Sequence, residues 1–236
     1  MDLKGKRALV TGGAVRIGAA IVAALQNEGV EVVVHYLASE DEARALSPFT
    51  ARADLTNPDE LAAMIDEAGP LDILVNNAAL FTKDPLAAGA PERVRREFEV
   101  NLFAPLELTR RFAAQSKSGA VINLLDRRVR ANDPSCLPYS ITKKGLEELT
   151  KLSALELAPG IRVNAVAPGP ILPPPGESGK NFMENAGAVP LQYYPTPEDI
   201  AEAALFLLKA EYCTGQVVFV DGGQHLLGNA VHDQGV

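Results

Sequence analysis

Short apolar segments alternate with amphipathic segments along the chain, and this alternation limits the folds that are open to it. Seven segments have the length and β-branched content of strands: Arg7–Val10, Val30–His35, Phe49–Ala53, Leu71–Val75, Ala120–Leu125, Ile161–Ala167 and Gln216–Val220. The segments between them carry helical periodicity: Ile17–Glu28, Asp41–Leu46, Pro58–Ala68, Pro91–Gln115, Tyr139–Ala158 and Pro197–Leu208. Repeated strand–helix–strand units require right-handed crossovers and a parallel sheet with helices on both faces. The sequence therefore predicts one α/β domain, residues 1–236, with a doubly wound, Rossmann-like parallel sheet of about seven strands.

Composition narrows the class of protein further. A net charge of −8 opposes binding to nucleic acid or to an anionic membrane surface. Cys136 and Cys213 lack the spacing of a metal site and fit reduced thiols better than a disulfide. The first apolar segment soon meets Thr11-Gly12-Gly13, which is too early for a signal peptide or a membrane span. We expect a cytoplasmic protein that uses no metal and binds a small molecule.

The turn between the first strand and the first helix has the pattern of a phosphate-binding loop. Gly12 and Gly18 allow a tight turn and a close approach of the backbone to a ligand, and the helix that follows offers free N–H groups and a positive dipole end to a pyrophosphate. Arg16 stands where many such loops carry a further glycine, and a cation at a helix N-terminus is unfavourable unless an anion offsets it. The position of this turn, after a strand and before a helix, predicts a dinucleotide site.

Residues at the ends of the next strands indicate which dinucleotide is bound. After the second strand the chain reads His35-Tyr36-Leu37-Ala38-Ser39, without the acid that would hold the adenosine ribose hydroxyls of NAD. This favours NADP, with charge and donors for its 2′-phosphate from Arg16, His35, Tyr36 and Ser39, although Ser39 could equally cap the next helix. The remaining expected cofactor contacts at this edge are Ile17, Asp54, Leu55, Asn76 and Ala78.

Tyr139 and Lys143 form the pair with the clearest chemical meaning. Their spacing of four residues places them on one face of the predicted helix. An ammonium close to a phenol lowers the pKa of the phenol, which would make Tyr139 a proton donor and acceptor near neutral pH. A solvated lysine beside a packed tyrosine has the same spacing, so the pair gains meaning from the row of strand-end residues around it.

With order and spacing preserved, these residues resemble the short-chain dehydrogenase/reductase family along nearly the whole chain. The matching parts are Thr11-Gly12…Gly18, Asp54-Leu55, Asn76-Asn77-Ala78, Asn101, Tyr139-x-x-x-Lys143, Asn164, Pro168-Gly169 and Val220-Asp221-Gly222-Gly223. The resemblance implies a catalytic Tyr139, a Lys143 that binds the nicotinamide ribose and lowers the Tyr139 pKa, and an Asn101 that supports a proton-relay water. It also implies cofactor contacts at Pro168, Gly169 and Ile171, and a homotetramer.

Two departures from the common family pattern are similar to the pteridine reductase branch. Asp126 stands thirteen residues before Tyr139, where the family usually has serine, and Arg16 replaces the middle glycine. Phe81 follows the fourth strand, and in that branch such a phenylalanine stacks on the pterin ring. The resemblance therefore implies that Arg16, Phe81, Asp126 and Tyr139 contact the substrate. Ala79 and Ala38 replace polar residues of some pteridine reductases, which leaves the exact substrate open.

The chemistry of Asp126 supports the same reading independently. An ionised carboxylate only accepts hydrogen bonds, so it opposes negative charge on a nearby carbonyl oxygen. A C=N bond instead becomes a better hydride acceptor when its nitrogen gains a proton, which Tyr139 and Asp126 could deliver. A buried, protonated Asp126 is also possible on sequence grounds. We expect Arg127, Arg128 and Arg130 to lie on a solvated or subunit-facing surface without a catalytic role.

Three functions follow from the sequence. The leading one is an NADPH-dependent pterin reductase that acts on a dihydropterin. The second is a carbonyl reductase of the 3-oxoacyl-thioester or sugar type. The third is a non-catalytic NADP-binding sensor, which the complete set of Asn101, Tyr139 and Lys143 disfavours.

Overall fold

Seven parallel strands form one sheet in the order β3-β2-β1-β4-β5-β6-β7. The computed structural model describes residues 1–83, 86, 89–173, 182 and 186–232. The strands are β1 (Arg7–Val10), β2 (Glu31–Tyr36), β3 (Thr50–Arg52), β4 (Ile73–Asn76), β5 (Gly119–Leu124), β6 (Ile161–Pro168) and β7 (Val217–Val220). The order reverses between β1 and β4, and this switch point opens a crevice at the carboxyl ends of the strands. The predicted doubly wound parallel fold is confirmed.

Helices cover both faces of the sheet because alternate strand residues point to opposite sides and both sets are apolar. The helices are α1 (Arg16–Asn27), α2 (Glu40–Leu46), α3 (Pro58–Ala68), α4 (Pro91–Phe98), α5 (Ala104–Gln115), α6 (Leu137–Glu156) and α7 (Pro197–Lys209). Val10 packs on one face with residues of α1, α2 and α7. Leu9 packs on the other face with residues of α3, α5 and α6.

The sequence pattern suggested one helix over Pro91–Gln115, and the structure interrupts it. A π-helical turn, Glu99–Phe103, separates α4 from α5. Pro105 has no N–H group and therefore cannot donate the regular helical hydrogen bond to the carbonyl of Asn101. The resulting irregular turn carries Asn101, as such turns often do for functional residues.

The other predicted boundaries agree with the structure to within two residues, and α6 begins two residues before Tyr139. Parts of both long connections, residues 84–85, 87–88, 174–181 and 183–185, lie outside the described residues. Among the helices in the described ranges, none is both long enough and apolar enough to cross a membrane.

Candidate active site

The glycine turn after β1 brings backbone close to backbone, and only glycine fits two of its positions. Gly12 has φ +58°, and a Cβ there would lie 3.0 Å from the Ala78 Cα. A Cβ on Gly18 would lie 2.1 Å from the Gly12 carbonyl oxygen. The first turn of α1 has no acidic residue and no side-chain cap, which leaves its N–H groups to an anionic ligand. This cradle fits a pyrophosphate.

Asn77 holds the turn in place, although sequence reasoning selected its neighbour Asn76. The Asn77 Nδ2 donates to the carbonyls of Thr11 and Gly12, both at 2.9 Å. The side chain of Asn76 is buried on the interior side of β4, where its Nδ2 donates to the Asn123 Oδ1 at 2.8 Å. The Asn76 side chain is thus engaged inside the protein, because successive residues at the end of β4 point in opposite directions. The cofactor contact predicted for Asn76 stays a prediction.

A cavity of about 430 Å³ runs from this turn to Tyr139. Its lining includes these predicted residues: Gly12, Arg16, Ile17, Gly18, His35, Asp54, Leu55, Ala78 and Tyr139. Pro168, Gly169 and Ile171 are described but do not line it. Leu172, the residue after Ile171, is linked to the lining residue Arg16, whose guanidinium donates a 3.3 Å hydrogen bond to the Leu172 carbonyl.

Arg16 adopts a backbone conformation that normally belongs to glycine. Its φ is +58°, in the left-handed region, which costs a residue with a side chain about 1 kcal/mol. This explains in physical terms why glycine is common at this position in similar turns. Strained residues are concentrated at functional sites, and Arg16 lines the cavity.

His35 cannot supply positive charge to a 2′-phosphate, contrary to the sequence-based expectation. Burial lowers its pKa, against the opposing hydrogen bond to the Ala53 carbonyl. The backbone N–H of Gly12 donates to the His35 Nδ1 at 2.9 Å, and Nε2 lies 3.0 Å from the Ala53 carbonyl oxygen. With both ring nitrogens bound inside the protein, His35 is a neutral support of the glycine turn.

The other residues near the end of β2 divide between core and cleft. Tyr36 is buried in the core with α1 and α2, away from the cavity lining. Ser39 occupies the position before α2, and its hydroxyl makes no capping hydrogen bond. The Asp54 carboxylate accepts from the Thr56 backbone and hydroxyl and pairs with Arg96 at 3.3 Å on the cavity rim. The backbone and hydroxyl bonds of Thr56, aided by Arg96, lower the Asp54 pKa.

The Tyr139 hydroxyl donates a 3.1 Å hydrogen bond to the Asp126 Oδ2. Asp126 follows the end of β5, and Tyr139 lies in the first turn of α6. Lys143, one turn further along α6, donates through Nζ to the Leu124 carbonyl at 2.6 Å. The expected trio of Asp126, Tyr139 and Lys143 is thus assembled between β5 and α6.

The structure reverses the predicted direction of the Tyr139 pKa. Burial raises this pKa well above its ordinary value, and the Asp126 carboxylate raises it further, while Arg128 opposes the change. Burial also lowers the pKa of Lys143 to about 8, against the attraction of Asp126 and Glu97. The Lys143 Nζ lies 5.7 Å from the centre of the Tyr139 ring. Tyr139 is therefore protonated across the neutral range, as a proton donor must be.

Arg128 is a functional candidate that sequence reasoning placed on the surface. Its backbone N–H and guanidinium contact Asp126, the latter at 3.2 Å, and its Nε donates to the Asp133 Oδ2 at 3.0 Å. Although burial opposes the charge, the Asp126 carboxylate raises the Arg128 pKa. Arg127 also departs from the expectation, because it is buried, whereas Arg130 is exposed as expected and forms a two-point ion pair with the buried Glu147. In the sequence, the signal for a role of Arg128 in the site was its position two residues after Asp126.

Phe81 lies against these groups at the mouth of the site. Its ring packs edge-on against the Tyr139 ring, with centres 4.8 Å apart, and the Arg128 guanidinium lies 5.4 Å from its centre. The side chain is 37% exposed, which is high for a large apolar residue in a folded chain. A flat, exposed aromatic ring beside a proton donor is a platform on which a planar ligand can stack.

Asn101 uses its side chain to hold the segment that carries Phe81. Its Oδ1 accepts from the Leu80 N–H, and its Nδ2 donates to the Leu80 carbonyl, both at 2.8 Å. A longer bond of 3.3 Å joins Nδ2 to the Thr142 hydroxyl. The predicted water-relay role of Asn101 stays a prediction. The π-helical turn is consistent with it, because Pro105 cannot donate the regular helical hydrogen bond to the Asn101 carbonyl.

Known proteins share both the sequence pattern and this architecture. A family model described as enoyl-(acyl carrier protein) reductase matches residues 13–225. A putative ketoacyl reductase 2 of the granaticin polyketide synthase of Streptomyces violaceoruber is 37% identical over 93% of this chain and 96% of its own length. The 3-oxoacyl-[acyl-carrier-protein] reductase FabG of Staphylococcus epidermidis is 35% identical over 94% of this chain and 99% of its own.

A solved structure with the same fold is described as a different kind of reductase. FolM alternative dihydrofolate reductase 1 of Brucella canis, complexed with NADP, superimposes with a TM-score of 0.89 at 34% identity, covering 95% of this chain and 96% of the other. The chain belongs to the short-chain dehydrogenase/reductase family, and it is an oxidoreductase of that family.

The pKa of Lys143 gives a pH prediction. Because burial lowers this pKa to about 8, the ammonium predominates at neutral pH and is lost as the pH rises through about 8. The expected kcat profile therefore falls above about pH 8 with the slope of one proton. In a Lys143→Arg variant the charge persists, so any residual activity should stay level to about pH 10. A wild-type profile that stays level to pH 10 would contradict this role.

Proposed function

We propose that this protein is an NADPH-dependent reductase of a pterin, converting a dihydropterin to a tetrahydropterin. The observation that carries the proposal is the carboxylate of Asp126, which accepts from the Tyr139 hydroxyl at 3.1 Å and from Arg128 at 3.2 Å. This acidic group stands at the position where a hydroxyl would assist reduction of a ketone. Dihydromonapterin, dihydrobiopterin and dihydrofolate are the candidate substrates.

NADP(H) is the cofactor that the cleft fits. The crowded glycines Gly12 and Gly18 and the uncapped N-terminus of α1 provide a place for the pyrophosphate. The absence of an acid between His35 and Ser39 removes the usual partner of an unmodified ribose. Arg16 and the unengaged Ser39 hydroxyl supply the charge and a donor for the 2′-phosphate. The NADP-bound FolM relative supports the same cofactor.

The chain's own residues provide the proton side of the reaction. When bound, the reduced nicotinamide supplies a hydride to the substrate carbon. Tyr139, whose pKa burial raises, keeps its proton until a nitrogen of the substrate gains basicity. Asp126 accepts N–H donors of a pterin and stabilises positive charge that develops on the ring. Lys143 contributes a positive charge within the same buried site.

Phe81 and Arg16 make the site suitable for a flat heterocycle. The exposed Phe81 ring offers one stacking face beside Tyr139, while the nicotinamide would supply the other. Arg16 projects toward the Leu172 carbonyl, which places its guanidinium between the glycine turn and the loop after β6. From there it can serve both a cofactor phosphate and the substrate.

A carbonyl reductase of the 3-oxoacyl-thioester type is the second candidate. The relatives named as a ketoacyl reductase and as FabG, at 37% and 35% identity, favour it. A ketone oxygen that gains negative charge would meet the Asp126 carboxylate in this site, and like charge raises the barrier. For this reason the pterin reaction remains the preferred proposal.

The proposal includes a homotetramer in the cytoplasm. Large apolar side chains remain exposed on the π-helical turn, α5 and α6: Phe103, Leu106, Ile141, Leu152 and Leu155. Such a surface fits self-association across two-fold axes. The free thiols of Cys136 and Cys213 fit a reducing compartment.

Substrate choice tests the proposed function. NADPH oxidation should be measured with dihydromonapterin, dihydrobiopterin and dihydrofolate, and with 3-oxoacyl thioesters and simple ketones. Because the polar groups of the site match a pterin, we expect kcat/KM for at least one dihydropterin to exceed that of the carbonyl compounds about 100-fold. Activity on carbonyl compounds alone would refute the pterin reading.

Two variants of Arg16 separate the contribution of its side chain to NADPH binding from the cost of its strained backbone conformation. Arg16→Ala removes the guanidinium and keeps the left-handed residue, so NADPH should bind about 10–100-fold more weakly while NADH changes little. Arg16→Gly should weaken NADPH equally but unfold with a free energy about 1 kcal/mol higher than Arg16→Ala, because glycine relieves the strain. Titration calorimetry and urea unfolding measure the two effects. Equal losses for NADPH and NADH would contradict the role in 2′-phosphate binding.

A further inference from the structure

Glu97 is a carboxylate that the mechanism above does not use, and it is completely buried. It lies in α4 with no exposed surface. A buried carboxylate is costly unless several donors satisfy it. Its Oε1 accepts from the Thr82 backbone N–H at 2.9 Å, and its Oε2 accepts from the Thr82 hydroxyl at 3.0 Å.

The two residues that flank Phe81 are held by two side chains from one helical stretch. Glu97 holds Thr82, and Asn101, four residues later, holds Leu80 through two bonds of 2.8 Å. A spacing of four residues brings both side chains to about the same side of the helical stretch. The backbone is thus fixed immediately before and immediately after Phe81.

The fixed segment has a direct consequence for Phe81. Its ring is 37% exposed, packs edge-on against the Tyr139 ring and has the Arg128 guanidinium near its face. Because the ring is carried between Leu80 and Thr82, fixing the backbone on both sides limits where the ring can lie. A leucine at position 97 would fill a buried site without a desolvation cost, but it would leave the Thr82 N–H and hydroxyl without these acceptors.

Glu97 also influences Lys143. Together with Asp126, its negative charge opposes the burial that lowers the Lys143 pKa. The same carboxylate therefore connects the segment of Phe81 with the cationic group of the site.

We propose that Glu97 is a positioning residue of the active site, which acts with Asn101 to fix the segment 80–82 and thereby to present Phe81 to the substrate. This role rests on the proposed function only in so far as Phe81 stacks on a pterin. The fixing of the segment itself depends on the observed hydrogen bonds alone.

Three variants test the proposal, with Glu99→Gln as the matched control, since Glu99 is exposed on the adjacent turn. Glu97→Ala removes both bonds, and Thr82→Val removes only the hydroxyl bond. Glu97→Gln keeps the shape and can still accept from the Thr82 N–H. We expect KM for the dihydropterin to rise about tenfold in Glu97→Ala and about two- to threefold in the other two, with KM for NADPH unchanged. Glu99→Gln should match the wild type.

The pH profile separates positioning from charge. Glu97→Gln should move the alkaline limb of turnover below its wild-type position, because one of the two carboxylates that favour the Lys143 ammonium is lost. Thr82→Val keeps Glu97 and should leave the limb in place. Equal rises in KM for dihydropterin and NADPH in these variants would overturn the proposal.

Hydrogen exchange provides a readout that needs no substrate. Mass spectrometry of peptides that cover residues 79–83 in the NADPH-bound protein should show about tenfold faster exchange in Glu97→Ala, while peptides of β1 and β5 stay protected. Unchanged exchange at 79–83 would overturn the proposal even in a fully active enzyme. If wild-type protein reduces no dihydropterin, the function proposed above fails, while this exchange experiment still decides the role of Glu97.

Discussion

The carboxyl ends of seven parallel strands lie along one edge of the sheet, and every functional group depends on that constraint. The order reverses between β1 and β4, so the helices that follow them leave to opposite faces and a crevice opens between them. The glycine turn after β1, the Asn77 side chain after β4 and Asp126 after β5 meet at this crevice. Residues distant in sequence therefore share one cleft, and hydrogen bonds such as those from Asn77 to the glycine turn join them.

Within the cleft, burial and charge give each ionisable group a different task. Tyr139 retains its proton because burial and Asp126 both raise its pKa. Lys143 is poised near pH 8 because two carboxylates partly offset its burial. Arg128 balances Asp126 and contacts Phe81, so it joins the acid to the aromatic platform. On this arrangement rests our proposal that the site protonates a ring nitrogen instead of stabilising an alkoxide.

Much of the fold followed from the sequence, because apolar periodicity records which faces of helices and strands are buried. The positions of Tyr139, Lys143 and Asp126 followed as well, since their spacing and strand-end location are local features. The π-helical turn at Asn101 was missed, because apolar periodicity does not distinguish such a turn from a regular helix, although Pro105 was a signal in the sequence. The neutrality of His35, the rise in the Tyr139 pKa and the partners of Arg128 depend on burial and tertiary contacts, which no sequence window contains.

The central claim is that the Asp126 carboxylate directs the site toward C=N reduction. Its most direct test compares kcat/KM for a dihydropterin and for a 3-oxoacyl thioester in wild type, Asp126→Ser and the isosteric Asp126→Asn. The account predicts that both variants lose about 100-fold or more with the dihydropterin, while Asp126→Ser retains or gains activity with the thioester. Full dihydropterin activity in Asp126→Ser, or an equal loss with both substrates, would contradict the claim.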